Sequence, residues 1–276
     1  MAEGAIELAF ARAPGGETFV GRQRATYPFH VCRSHRFAGD PAGMVTLYVQ
    51  SCAGGIFADD RLQQSIVAGS GAAAHVTTAA ATIVHGMVSG GGAAHETRLV
   101  AEDGALLEFL PDPSILFPQA RLRTRLAVRA HPEATIIAGD SFLMHDPTES
   151  GRVFDRLQGE IVVEGPSGEI VALDRSALRG EAMMAELPGI AGRFRACATL
   201  MVVTRRLAPA LLVDALRGAL AGNEHAYGGA STLPGDAGAW VRLLAEDGAA
   251  LRLGLHSAWS ALRAVLTGNV PQPRRK

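Results

Sequence analysis

Along the first two-thirds of the chain, apolar residues come in short runs that alternate with polar ones and break at Gly, Pro and Asp. Val67–Thr77, Val100–Leu110 and Val128–Ile137 share one pattern: an apolar stretch, polar turn residues with Gly or Pro, an Ala, then a second apolar stretch. They recur at roughly 30-residue intervals, and period-2 alternation with Gly or Asp at the bends predicts strands joined by tight hairpins. Leu244–Leu253 repeats the opening of the pattern, and Val163–Leu173 is a looser version. Polar turns with Gly occur in any β-rich chain, so the pattern predicts strands more firmly than it predicts a repeat.

Helical spacing is concentrated late. Pro209 stands at a first-turn position of a helix expected over residues 209–221, with Leu212, Leu216 and Leu220 on one face. A second helix is expected over residues 251–267. Leu255, Trp259, Leu262 and Leu266 form its apolar stripe, Arg252 and Arg263 fall off it, and Thr267, Gly268 and Asn269 supply a C-cap. The fold class is therefore mainly β with two α-helices in the C-terminal half. No low-complexity linker divides the chain, so residues 1–276 are expected to form a single domain, with residues 1–20 and 270–276 poorly ordered.

Composition narrows the picture. With 48% hydrophobic and 19% charged residues among 276, the chain can bury a sizeable core, and with aromatics at 5% that core must be Val, Ile, Leu and Ala. Lys and Arg total 26 against 27 acids, for a net charge of −1. That balance gives no electrostatic reason to expect nucleic acid or an anionic membrane as partner. Cys32, Cys52 and Cys197 cannot build a disulfide framework and suit a reducing compartment. No basic, apolar leader opens the sequence and no window is apolar enough to span a bilayer, so a cytoplasmic location is expected.

Candidate chemistry is sparse. Gly69, Ser70, Gly71 and Ala74 echo a dinucleotide fingerprint, but the β-branched residues that follow favour a strand over the helix terminus that phosphate binding needs, and no nucleotide is expected. His30, Cys32 and His35 could ligate zinc, nickel or copper, although a half-buried strand with a Cys is the commoner reading of the same residues. His75, His85 and His95 are evenly spaced and could converge across successive strands.

Several stretches, in order from about residue 25 to 266, resemble the UreD (UreH) family of urease accessory proteins. Gly54, Gly55, Asp60 and Leu62 match its Gly-Gly motif, and Gly71, Thr77, Thr78 and Ala81 its Thr-Thr segment. Leu107, Glu108, Leu110, Pro111 and Ile115 match a Leu-Glu-x-Leu-Pro segment; Gly229, Leu233, Pro234, Arg242, Trp259 and Arg263 match the C-terminal signature. Ser51, Asp59, Ile83 and His85 depart from the family pattern, which is only faintly echoed around His145–Gly151. The resemblance implies a divergent, non-enzymatic member with stacked, hairpin-connected strands in β-helix-like layers and two helices. It implies a maturation chaperone that scaffolds UreF-like and UreG-like partners on apo-urease and helps deliver nickel through an internal passage. No tightly bound cofactor is implied, only transient Ni2+.

Such a passage needs oxygen donors, and Asp60, Glu108 and Asp140 are the candidates. Each also reads as an ordinary residue: Asp60 and Asp140 as turn acids, Glu108 as the solvent face of a strand. Trp259 is the candidate anchor for a helical partner, unless it packs in the domain's own core. Two other readings stay open: a β-rich metal-dependent enzyme using the histidines, and a plain interaction module.

Overall fold

The computed structural model describes residues 1–272. In chain order the strands are β1 (Glu3–Arg12), β2 (Thr18–Ala25), β3 (Phe29–Val31), β4 (Val45–Ser51), β5 (Arg61–Ala68), β6 (Ala73–Thr78), β7 (Thr82–Val84), β8 (Ala93–Ala101), β9 (Leu106–Phe109), β10 (Ser114–Leu116), β11 (Arg121–Ala130), β12 (Thr135–Met144), β13 (Arg156–Glu164) and β14 (Ile170–Leu178). A short helix α1 (Gly180–Met184) follows, then β15 (Ala196–Thr204), α2 (Pro209–Leu220), β16 (Ala226–Thr232), β17 (Gly238–Ala245) and α3 (Gly248–Thr267). The expected mainly β class of stacked strands is observed.

The strands form two facing sheets. The first, seven-stranded, runs β14-β13-β11-β8-β5-β1-β2; the second, ten-stranded, runs β16-β17-β15-β12-β9-β6-β4-β3, with β10 beside β12 and β7 beside β10. The three repeated segments are the bends that carry the chain from the first sheet to the second. Each closes with the same three-residue step, Ala72 N–H to Gly69 O, Ala105 N–H to Glu102 O and Ala134 N–H to His131 O. Like residues then stack: Ala73, Leu106 and Thr135 are parallel neighbours, and Ala72, Ala105 and Ala134 are wholly buried at one corner.

These bends are thus arches, not the hairpins that their turn residues suggest. Gly and Asp turn the chain in either case. The difference is that side chains on both sides of each bend, such as Ile66 and Val76, point into one shared core, so the flanking strands must lie in opposite sheets. The strand after Gly71 is β6, in keeping with its β-branched residues.

The core between the sheets is Val, Ile, Leu and Ala, with Phe10 and Phe109. The N-terminal segment, expected to be poorly ordered, instead supplies β1, which pairs with β2 and β5 and buries Ile6, Leu8 and Phe10. Its alternating apolar residues carry the correction. Of the expected poorly ordered C-terminal residues, 273–276 lie outside the described residues.

Helices α2 and α3 cover the outer face of the second sheet. Leu212, Leu216, Leu251 and Leu262 are wholly buried against β12, β15 and β17. Strands buried on both faces read as continuous apolar runs, as in β15. Helix α3 begins three residues before the expected start, because Asp247 caps it by accepting from Ala250 N–H at 2.8 Å. It ends at Gly268, left-handed at φ 74°, where the C-cap was expected. No helix among the described residues is long and apolar enough to cross a membrane.

Candidate functional site

Alternation on β6 and β9 sends Ala74, Val76, Leu107 and Phe109 into the inter-sheet core and leaves His75 and Glu108, neighbours in register, on the opposite face under α3. Arg263 descends from α3 to meet them. Its Nε donates to Glu108 Oε1 at 2.8 Å, its Nη2 donates to Glu108 Oε2, and its Nη1 donates to Asp40 Oδ1 at 2.5 Å. His75 Nδ1 lies 2.7 Å from Glu108 Oε2. The Trp259 ring stacks on His75 at 5.0 Å and lies under the Arg263 guanidinium at 4.6 Å.

Burial alone would raise the Glu108 pKa. Hydrogen bonds from His75 and Arg263 outweigh it and bring the carboxyl down to about 2. Glu108 is therefore a fully engaged anion, neither solvent-facing nor open to a visiting ion. Arg263, expected off the apolar stripe, is wholly buried, because two carboxylates replace its lost hydration.

Beside this cluster the second sheet is broken. β12 pairs with β9 only as far as Ala138 opposite Phe109, and pairing resumes with β10 at Phe142 opposite Ser114. Likewise β6 leaves β9 at Val76 opposite Phe109, and β7 joins β10 at Thr82 opposite Ser114. Between these ladders Leu110–Pro113 bows away; Pro111 and Pro113 have no N–H to give a neighbour. An inter-sheet cavity of about 380 Å³ and a groove of about 1040 Å³ beneath α3 meet here, sharing Ala79–Ala81, Pro111, Asp112 and Gly139–Ser141 as walls.

Asp140 stands at this junction. Its Oδ2 accepts from Thr124 Oγ1 across the inter-sheet space at 3.2 Å, and burial raises its pKa above the usual carboxylate range. The cavity wall opposite carries Gln64, His95 and Thr97, a polar cluster inside an otherwise aliphatic sandwich. His95 Nε2 lies 2.7 Å from the Gln64 amide nitrogen, and burial lowers its pKa to about 4, so the ring is neutral at physiological pH.

The three acids singled out from the sequence are not brought together. Asp60 closes a turn, accepting from Ala2 N–H at 2.6 Å and Phe57 N–H at 2.9 Å, Glu108 is bound to Arg263, and of the three only Asp140 walls either cavity. Trp259 is 7% exposed, part of the helix–sheet core, and its remaining edge walls the groove. His30 is exposed on β3, while Cys32 contacts Gln50 and His35 packs on Phe37 and Tyr48. His75, His85 and His95 lie in three separate surroundings, under α3, beside Gly54 O and inside the cavity. Among the described residues no three His, Cys, Asp or Glu side chains converge on one point. Sequence reasoning missed Arg263, Asp40 and Gln64. Pro111 and Pro113 bracketing one residue were the available sign of the broken sheet.

The family described as UreD urease accessory protein matches residues 2–276. Urease accessory protein UreD 1 of Pseudomonas syringae pv. syringae (strain B728a) is 42% identical over 98% of this chain and 94% of its own length. Urease accessory protein UreD 1 of Methylorubrum extorquens (strain PA1) is 38% identical over 98% of this chain and 90% of its own. Urease accessory protein UreD 3 of a Bradyrhizobium species (strain ORS 278) is 35% identical over 95% and 91%. The segments that carry the likeness are structural neighbours here, with the Leu-Glu-x-Leu-Pro segment supplying Glu108 and the wall of the break, and the C-terminal signature supplying Trp259 and Arg263. On full-length identity and on this placement of its motifs, the chain belongs to the UreD family of urease accessory proteins.

Proposed function

We propose that this protein is a non-catalytic urease maturation factor in the cytoplasm. It scaffolds UreF-like and UreG-like partners on apo-urease and passes Ni2+ through the break in its second sheet. The observation that carries this reading is the junction at Asp140, where the inter-sheet cavity and the α3 groove share walls. An ion stripped of water among aliphatic side chains would face a prohibitive desolvation cost, so a route needs spaced oxygen donors. Asp140, Asp112 and Ser141 are among the walls that the cavity and the groove share. Two carboxylates spaced around an opening hold a hydrated ion weakly, which favours onward movement over trapping.

The α3 groove supplies a surface for a partner segment, with Trp259 on its floor and Leu253 and Arg252 at its rim. The test uses Asp140→Ala in cells that express urease and its accessory proteins. Co-purification of the UreF-like partner should be unchanged while nickel-dependent urease activation falls severalfold. Full activation by an Asp140→Ala protein that still assembles would overturn the passage.

A further inference from the structure

We infer that His95 determines the metal specificity of the inter-sheet chamber: its imidazole and the Asp140 carboxylate offer one nitrogen and one oxygen donor to a divalent cation, which favours Ni2+ over Mg2+ and Ca2+. The inference rests on the passage proposed above and adds to it the reason one metal would be accepted and others not.

Placement comes first. His95 on β8 is the parallel neighbour of Thr124 on β11, and Thr124 Oγ1 donates to Asp140 Oδ2 at 3.2 Å. The imidazole therefore stands one strand from the residue that holds the carboxylate, and both wall the 380 Å³ chamber. Gln64, 6% exposed, fixes the ring through Nε2. Here the Gln64 amide N–H donates to His95 Nε2 and the ring proton sits on Nδ1; half a turn of the amide about the last torsion presents Oε1 to Nε2–H instead and frees the Nδ1 lone pair for a cation. That is how a ligating histidine is usually braced, with its second nitrogen donating to a carbonyl.

Chemistry supplies the selectivity. Mg2+ and Ca2+ take oxygen ligands and gain little from an imidazole, whereas Ni2+ binds nitrogen donors well. Two protein donors with waters completing the shell also bind weakly enough to release. A third His, Cys, Asp or Glu, absent here among the described residues, would trap the ion.

The test uses the full chain, with Ni2+ alone as probe and then Ni2+ in excess Mg2+. Paramagnetic broadening should appear at the amides of His95, Thr124 and Asp140 and persist in Mg2+. His95→Gln, which keeps a polar group against Gln64, should abolish this broadening or make it Mg2+-sensitive. Gln64→Leu should weaken it by about tenfold. In cells, His95→Gln should make urease activation depend on the Ni2+ to Mg2+ ratio. Broadening confined to surface histidines, or unchanged discrimination in His95→Gln while Asp140→Ala stops delivery, would overturn this inference and leave the passage standing. Unimpaired delivery by both Asp140→Ala and His95→Gln would remove the passage and the inference together.

Discussion

Arg263 and Glu108 are 155 residues apart in the chain and meet as a two-pronged ion pair with neither side chain exposed. Removing one partner leaves the other charged and buried with a single remaining ionisable partner, Asp40 for Arg263 or His75 for Glu108. Glu108→Gln or Arg263→Met should each cost about 3–5 kcal/mol of stability. The double variant should cost well under the sum, because the second change removes the charge left behind. Urea unfolding of the three variants checks this; additive losses would mean that the pair contributes nothing as a pair.

The same pair sets an acid limit. The Glu108 carboxyl falls from an ordinary value of 4.5 to about 2 in the folded protein. As pH drops below 4.5 the unfolded chain takes a proton that the folded chain refuses until about 2, so unfolding gains ground. The stabilisation is complete above 4.5 and is lost across that window. Denaturant midpoints measured from pH 7 to 3 should fall steeply in the native protein and less steeply in Glu108→Gln.

Adjacent glycines of the Gly-Gly motif should respond unequally to alanine. A Cβ on Gly55 would sit 2.4 Å from the Ile83 carbonyl oxygen, at a φ of 141° that side chains avoid, whereas a Cβ on Gly54 would meet nothing within 4 Å. Gly55→Ala should cost about 2 kcal/mol or more and Gly54→Ala under about 0.5 kcal/mol. Thermal unfolding distinguishes them. Because Gly55 walls the inter-sheet cavity, its variant should also lower nickel delivery.

Trp259 separates packing from docking. Trp259→Ala removes the ring between His75 and Arg263 and should destabilise by about 3–5 kcal/mol. Trp259→Phe keeps an aromatic face for both at a smaller loss. If Trp259 anchors a partner in the groove, capture of the UreF-like protein by Trp259→Phe should weaken while its unfolding midpoint moves little. Full capture would confine Trp259 to the core.

Local chemistry made much of this fold legible. The strands, both long helices and the cap at Gly268 follow from alternation, 3.6-residue spacing and glycine's tolerance of positive φ. Which strands pair is decided far away in sequence, so the bend at Gly69–Ala72 looks the same as a hairpin until β1 and β8 are found flanking β5. Arg263 was misplaced for a similar reason. A helical wheel assigns a guanidinium to solvent, and the acids that hold it come from residues 40 and 108. Asp59 is instructive in the other direction. It departs from the family's glycine yet keeps the left-handed turn at φ 65°, which an aspartate tolerates, and its Oδ1 accepts from Gly91 N–H at 2.8 Å. Of the polar chamber Asp140 was suspected as an oxygen donor and His95 only in company with His75 and His85, since Gln64, His95 and Thr124 converge through strand register alone.

Strand β12 carries a mechanical asymmetry at the break. Gly139, Asp140 and Ser141 pair with Leu200, Thr199 and Ala198 of β15 on one side, and on the other they face the bowed loop. The rim is a shelf fixed along one wall. Moving the bowed loop away from it by an ångström ruptures no β12 ladder, because Leu110–Pro113 make no strand pairing with Gly139–Ser141. The aperture can therefore dilate for a hydrated ion and settle again as a local elastic event, while a continuous sheet would have to unzip.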